Sequence, residues 1–265
     1  MLSVLVWEFH LRVFKDLQND YIYKNHFVKR DYKYLLKMEL RTQKRLFSVF
    51  IYKYCYEILL VTLLFHLYGS VLFYDLNFYE KYFRIGNVIL VYLAATNSFF
   101  HRKNKISALF GAILIFTFCC NTGLFYLNNY ISLKYLREIS FLVFLIITIF
   151  YTFSFLFSPH RIDKALISGT IVGYLLLIEI AVRIFLILFL IEDNSVLTNI
   201  DLEHHTSIYV DIVYYCTNTA TSIGFGDILP INQNAKMVTS ILGLAGQFYL
   251  VIIMSMMIRK FTSNK

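Results

Sequence analysis

Charge, proline and cysteine are all scarce in this chain, and each scarcity removes a class of protein. Only 16% of the 265 residues are Asp, Glu, Lys or Arg, against about 25% in an ordinary soluble domain. Too few charges remain to cover a surface facing water, which excludes a soluble enzyme. With 58% hydrophobic residues the chain is not a disordered one either. Two prolines and ten glycines leave long apolar stretches uninterrupted. The four cysteines, Cys55, Cys119, Cys120 and Cys216, fall inside apolar segments without CxxC or CxxH spacing. They read as small buried hydrophobes, which excludes a secreted disulfide scaffold and a metal-ligand set. No GxxxxGK(S/T) run and no HExxH occurs, so neither ATP-driven transport nor zinc chemistry finds support.

What the chain does contain is bilayer-length hydrophobic runs. A hydrocarbon core takes about 20 apolar residues at about 1.5 Å per residue. Six segments meet that criterion: Ile51–Tyr74, Ile85–Phe100, Ile106–Leu127, Ile139–Ser158, Leu166–Ile191 and Met237–Ile258. The expected fold is an all-α membrane protein with six transmembrane helices in the lipid bilayer.

The formal net charge of +8 is a topology signal, because most of the bases flank apolar runs and none forms the solvated basic face that nucleic acid needs. The arm Tyr21–Arg45, the turn His101–Lys105, the turn with His160, Arg161 and Lys164, and the tail with Arg259, Lys260 and Lys265 are rich in base. The connection Glu192 to Gly226 holds Glu192, Asp193, Asp201, Glu203 and Asp211 and no Lys or Arg. The positive-inside rule puts the basic connections and both termini in the cytoplasm of a protein of the cell (plasma or inner) membrane. Glu8, His10 and Arg12 break the first residues too early for a cleaved signal. Leu2, Leu5, Val6, Phe9, Val13 and Leu17 recur at helical spacing. This amphipathic helix either lies in the membrane interface or packs on the protein's cytoplasmic surface, and the arm 1–50 is a place for a lipid or an unknown regulatory partner.

One stretch breaks the six-helix pattern. Ile208 to Pro230, IYVDIVYYCTNTATSIGFGDILP, is too apolar for a solvated loop and is interrupted by Gly224 and Gly226 before it spans. Irregular backbone at membrane depth is tolerated only where protein buries it or it lines a watery cavity. The pattern therefore predicts a re-entrant helix followed by a strand-like pore lining. Within it, Thr219-Ala220-Thr221-Ser222-Ile223-Gly224-Phe225-Gly226-Asp227 has the composition of an ion filter. Rings of backbone carbonyls replace a cation's water shell there, and alternating glycine supplies the φ > 0 that such a backbone requires. Ser222 can add a ring of hydroxyls at the inner mouth, while Ile223 and Phe225 point away and wedge the strand against the helix.

These residues resemble the filter of the potassium-channel superfamily, usually written TxTTVGYGD, and the resemblance runs without gaps over Ile208–Lys260. It implies K⁺ as the permeant ion, held by the carbonyls of Ser222, Ile223, Gly224 and Phe225 and reaching Gly226, with no cofactor. It further implies that Thr219 and Thr221 support the filter and that Tyr214 and Tyr215 buttress it. Asp227 stands at the outer mouth with Pro230 behind it, and Gly246 serves as the inner-helix hinge. Ser222 replaces Thr and Phe225 replaces Tyr, and both leave the carbonyl geometry available. Asn218 stands where some members place a Glu; an amide can hydrogen-bond Asp227 but cannot share a proton with it. One chain offers one filter strand and a carbonyl ring needs four, so the implied unit is a homotetramer. Residues 1–50 then form a cytoplasmic arm, 51–159 a peripheral four-helix domain like a voltage sensor, and 160–265 the pore domain.

Other features admit plainer readings. Glu179 and Arg183 lie four apart on one face of the fifth span, at a depth where charge costs about 2.5–3.5 kcal/mol on insertion scales. They form either a self-neutralising packing pair or a link to the gate, with Glu57 an alternative partner for Arg183 and His66 a further unusual polar group in the first span. His204 and His205 read as loop or as a pH or metal sensor. Gly243 and Gly246 read as close-packing residues or as the hinge, and Gln247 as a cavity residue. Only five residues follow Lys260, so no nucleotide- or calcium-binding domain is expected. The fourth span, Ile139 to Ser158, has no Lys, Arg, Asp or Glu, so steep voltage gating is not expected. The rival readings are a weakly selective cation channel and a transporter or non-conducting scaffold, though a transporter should show repeated halves with broken helices and no internal repeat is visible.

Overall fold

In the computed structural model the described residues are 54–74, 78–79, 83–99, 117, 131–157, 164–192, 196–200 and 205–262. The chain divides into two units, Met1–Ile51 and Tyr52–Lys265. The first, and with it the amphipathic arm, lies outside the described residues, as do the expected third span apart from Thr117, the side chain of His205, and His204, Cys119 and Cys120.

The second unit is helical. Helix α1 (Cys55–Tyr68) runs into a 3-10 turn at Gly69–Leu72, and α2 follows at Arg84–Phe99. Then come α3 (Ile131–Leu156), α4 (Lys164–Ile191), α5 (His205–Ala220) and α6 (Gln233–Thr262). Among the described residues four segments are long and apolar enough to cross a membrane: Cys55–Leu72, Leu133–Leu156, Lys164–Ile191 and Gln233–Lys260. The apolar part of α2, Gly86–Asn97, is shorter than a span. The protein is accordingly a multi-pass helical membrane protein.

The most apolar of the described spans is also the hub. Helix α4 packs against α1, α3, α5 and α6, and Leu176, Val182 and Phe185 along it are fully buried. Small residues let its neighbours come close. A side chain at Gly169 would press on Phe155 and Leu156 of α3, and one at Gly173 would meet the hydroxyl of Tyr249 on α6. That hydroxyl donates to the Thr170 carbonyl at 2.5 Å. At the C-terminal end of α6 Lys260 Nζ donates to the Leu156 carbonyl, 2.8 Å away, a cation on one of the last, unpaired carbonyls of α3. At the other end Asn232 caps α6, its Oδ1 accepting from the Ala235 amide at 2.7 Å. Asn232 and Asn234 both donate side-chain amides to the Glu192 carboxylate just past α4.

Helix α3 begins at Ile131, eight residues before the expected span, and so includes Lys134, Arg137 and Glu138. The fourth helix is therefore not free of charge, although its length from Ile139 onward is. Arg137 and Glu138 are neutralised within the protein. Arg137 grips the neighbouring Glu138 with Nε at 3.1 Å and Nη2 at 2.8 Å. Glu138 in turn is buried and receives Arg183 Nη1 at 3.0 Å. Arg183 Nε donates to Glu179 Oε1 at 2.8 Å, which decides the open pairing: Arg183 meets Glu179 and Glu138, while no described residue bonds the buried Oε2 of Glu57. Arg183 Nη2 also lies 3.0 Å from His66 Nε2, and since a guanidinium only donates, that nitrogen accepts. The pair read from sequence is thus part of a cluster joining α1, α3 and α4.

Helix α6 is the least enclosed span. Met237, Ile241, Leu244, Phe248, Val251 and Ile258 recur at intervals of three, four and seven, and all are exposed in the single chain. They form one apolar stripe along the helix.

Candidate functional site: the loop between α5 and α6

Helix α5 buries Tyr209, Ile212, Val213, Tyr215, Cys216 and Ala220, a face at helical spacing laid against α4 and α6. The two tyrosines expected to buttress the filter diverge. Tyr215 turns inward, 2.6 Å from Thr239 Oγ1 of α6 and edge-on to Phe185 of α4. Tyr214 turns outward, and its hydroxyl donates to Asp227 Oδ2 at 2.7 Å. Asn218 is therefore not the partner of Asp227; its Nδ2 is buried without a hydrogen bond among the described residues. Its backbone carbonyl instead accepts from the amides of Ile223 and Gly224 at 3.0 and 3.4 Å, closing the C-terminus of α5.

Beyond Ala220 the backbone leaves the helix without forming a strand with any described segment. Its φ angles alternate: Ser222 at 58°, Gly224 at 58° and Gly226 at 78° lie in the left-handed region, while Ile223 and Phe225 between them do not. In a chain whose residues alternate hand, successive peptide planes turn the same way and the carbonyls line one side. A Cβ at Gly224 or Gly226 would meet nothing within 4 Å. Glycine is needed there for the sign of φ and not for room. Ser222 pays the corresponding strain, since L side chains rarely adopt this region.

Three groups brace the loop from behind. Tyr174 of α4 donates to the Ala220 carbonyl at 2.9 Å. Gly246 of α6 approaches so closely that a Cβ on it would fall on the Ala220 carbonyl oxygen. The structure thus gives Gly246 a close-packing role against the end of α5. Gln247 Nε2 donates to Ser222 Oγ at 2.6 Å. On the outer side the segment 196–200 straps the exit. Leu197 bridges Pro230, and the amides of Thr198 and Ile231 donate to the carbonyls of Leu229 and Val196 at 2.8 and 2.9 Å. Asn199, itself at φ 53°, donates Nδ2 to the Asp227 carbonyl at 2.7 Å. Sequence reasoning missed this strap, and it missed Tyr174. Nothing local in an acidic loop marks a pairing with residues thirty positions later.

Residues 174–263 match an ion-channel family. The matching model is described as an ion channel and covers roughly a third of the chain, from Tyr174 through the loop to the end of α6. No curated protein and no solved structure matches. The match is to a family of channels and not of enzymes, so the protein is not an enzyme, and over these residues the chain is similar to an ion-channel domain. Within them Phe225 lies parallel to Tyr214, with ring centroids 6.5 Å apart, and so stands beside the Tyr214–Asp227 bond. The hydrogen bond from Tyr214 holds the Asp227 carboxyl below the usual carboxylate range. The bond is therefore kept at neutral pH and lost as pH falls through that lowered value. Tyr214→Phe removes the donor and leaves the ring. We expect it to free the outer end of the loop, seen as faster decline of channel current during sustained opening, with little change in thermal stability because both partners are exposed to solvent in the chain. Unchanged current kinetics would show that the bond does not hold the loop.

Proposed function

We propose that the protein is a potassium-selective channel that passes K⁺ down its gradient through a homotetramer. The observation that carries this reading is the alternation of φ at Ser222, Gly224 and Gly226 directly after the re-entrant helix. It supports a reading in which the carbonyls of Ser222, Ile223, Gly224 and Phe225 share one side, the arrangement a dehydrating cation needs. The C-terminal end of α5 carries the negative end of the helix dipole to the base of that loop, which favours a cation there. One chain supplies one wall. The residues from Ser222 to Asp227 are exposed in the single chain, as is the apolar stripe of α6, and three further copies around an axis beside this wall would bury both and close the ring. The basic connections put both termini in the cytoplasm of the cell membrane.

Gating is not steeply voltage-dependent in this reading. Steep opening requires several charges per subunit to cross the field, each worth about 2.3 kcal/mol per 100 mV. In α3 the residues after Glu138 carry no charge, and Arg137 and Glu138 are paired with each other. Reconstitution into planar bilayers with K⁺ on one side and Na⁺ on the other tests both statements. A reversal potential near that for K⁺, with open probability changing shallowly between −100 and +100 mV, is expected. A reversal potential near zero would instead mean a weakly selective cation channel, absence of current under all voltages a transporter or scaffold, and an e-fold change every few millivolts a gating charge outside α3.

A further inference from the structure

Gln247 is the only place among the described residues where a side chain of α6 bonds a side chain of the candidate filter, and it does so at a residue in an unfavourable conformation. Gly246 lets α6 come against the Ala220 carbonyl, so the next residue, Gln247, reaches the base of the loop. Its Nε2 donates to Ser222 Oγ at 2.6 Å. Ser222 is the one member of the alternating set that is not glycine, yet it holds φ at 58°. Its own amide is tied to the Thr219 carbonyl at 3.1 Å. A residue with a Cβ leaves the left-handed region unless its surroundings hold it there, and here the holding group comes from a different helix.

The hydroxyl matters because of where it sits. In the proposed pore Ser222 is the innermost residue of the carbonyl set, so its hydroxyl oxygen and its carbonyl together would border the innermost cation position. A serine oxygen has two lone pairs. Accepting from Gln247 uses one and fixes the direction of the other. We propose that Gln247 is a positioning residue that sets the innermost cation ring by holding Ser222, and through it sets the preference for K⁺ over the smaller Na⁺; this rests on the proposed channel function. A smaller ion is rejected when the ring cannot contract around it, and an untethered hydroxyl that changes rotamer lets the ring contract.

The test compares Gln247→Leu, which keeps bulk but cannot donate, in two backgrounds, reading the K⁺/Na⁺ permeability ratio from reversal potentials of the full-length protein in planar bilayers. In the native background the ratio should fall about tenfold, the effect of losing roughly one hydrogen bond's worth of discrimination, while total cation current persists. In a Ser222→Gly background, where glycine holds positive φ without help, adding Gln247→Leu should leave the ratio within about twofold of Ser222→Gly alone. Gln247→Asn, an amide too short to reach, should reproduce the Gln247→Leu loss and serves if the leucine variant does not assemble. A native-background ratio unchanged by both substitutions, or an equal loss in both backgrounds, overturns the role of Gln247 alone. A native protein without K⁺ preference overturns the channel reading, and this role with it.

Discussion

Gly224→Ala is expected to abolish K⁺ flux while leaving the assembled protein intact. Gly224 holds φ at 58°, and a Cβ added there would meet nothing within 4 Å. Within the chain the substitution therefore meets no neighbour and disturbs no packing. What it adds is the intrinsic cost of a left-handed L residue, about 1–2 kcal/mol, in each subunit. The cheapest relief is rotation of the peptide out of the left-handed region, which carries the Gly224 carbonyl away from the side it shares with Ser222 and Phe225. Conduction is lost with the carbonyl, while the helices have no reason to move. Gly246→Ala makes the contrast. There the Cβ lands on the Ala220 carbonyl oxygen, backbone that cannot step aside cheaply, so the expected loss is of thermal stability and assembly. Potassium flux into proteoliposomes, with assembly followed by size-exclusion chromatography, separates the two glycines. Selective flux through well-assembled Gly224→Ala protein would remove the loop from the conduction path.

The two glycines also mark what the amino-acid sequence discloses and what it conceals. The loop was legible because its requirement is local: a residue's own φ selects glycine, so Gly224 and Gly226 show in one dimension. Helix α5 was legible for a similar reason, as an apolar run too short to span and ended by those glycines. Gly246 was ambiguous because its requirement lies in another element, the Ala220 carbonyl, which sequence spacing does not bring near. Tyr214 and Asn218 illustrate the same limit. Both are at helical distance from the loop, but the direction in which each side chain leaves α5 decides that Tyr214 and not Asn218 bonds Asp227. The strap at 196–200 and the Lys260 contact to α3 are long-range pairings of ordinary residues and have no sequence signal. For the buried charges, the i, i+4 spacing disclosed Glu179 with Arg183, whereas Glu138 and His66 entered from helices whose faces no periodicity specified.

That larger cluster changes what substitution should do. Were Glu179 and Arg183 an isolated pair, losing either partner would strand one charge and the two losses would be alike. The observed arrangement is unequal. Arg183 serves two carboxylates, Glu179 at 0% exposure and Glu138 at 4%. Glu138 has a second cation in Arg137, whereas among the described residues the carboxylate of Glu179 has only Arg183 and the ring of His66 beside it, with Tyr209 donating at 3.4 Å. Arg183→Gln should therefore be the worst single change, costing on the order of 3–5 kcal/mol because it leaves a buried carboxylate without its cation. Glu179→Gln should cost less, since Arg183 keeps Glu138. The double change Glu179→Gln, Arg183→Gln should recover part of the loss of Arg183→Gln alone, because the remaining Glu138 is still held by Arg137. Thermal unfolding of the purified assembly in detergent reads all three. The order expected in melting temperature is Glu179→Gln highest, the double variant between, and Arg183→Gln lowest; a double variant falling by the sum of the two single losses would mean that Glu179 and Arg183 do not depend on each other, and that the cluster is held by packing around it instead.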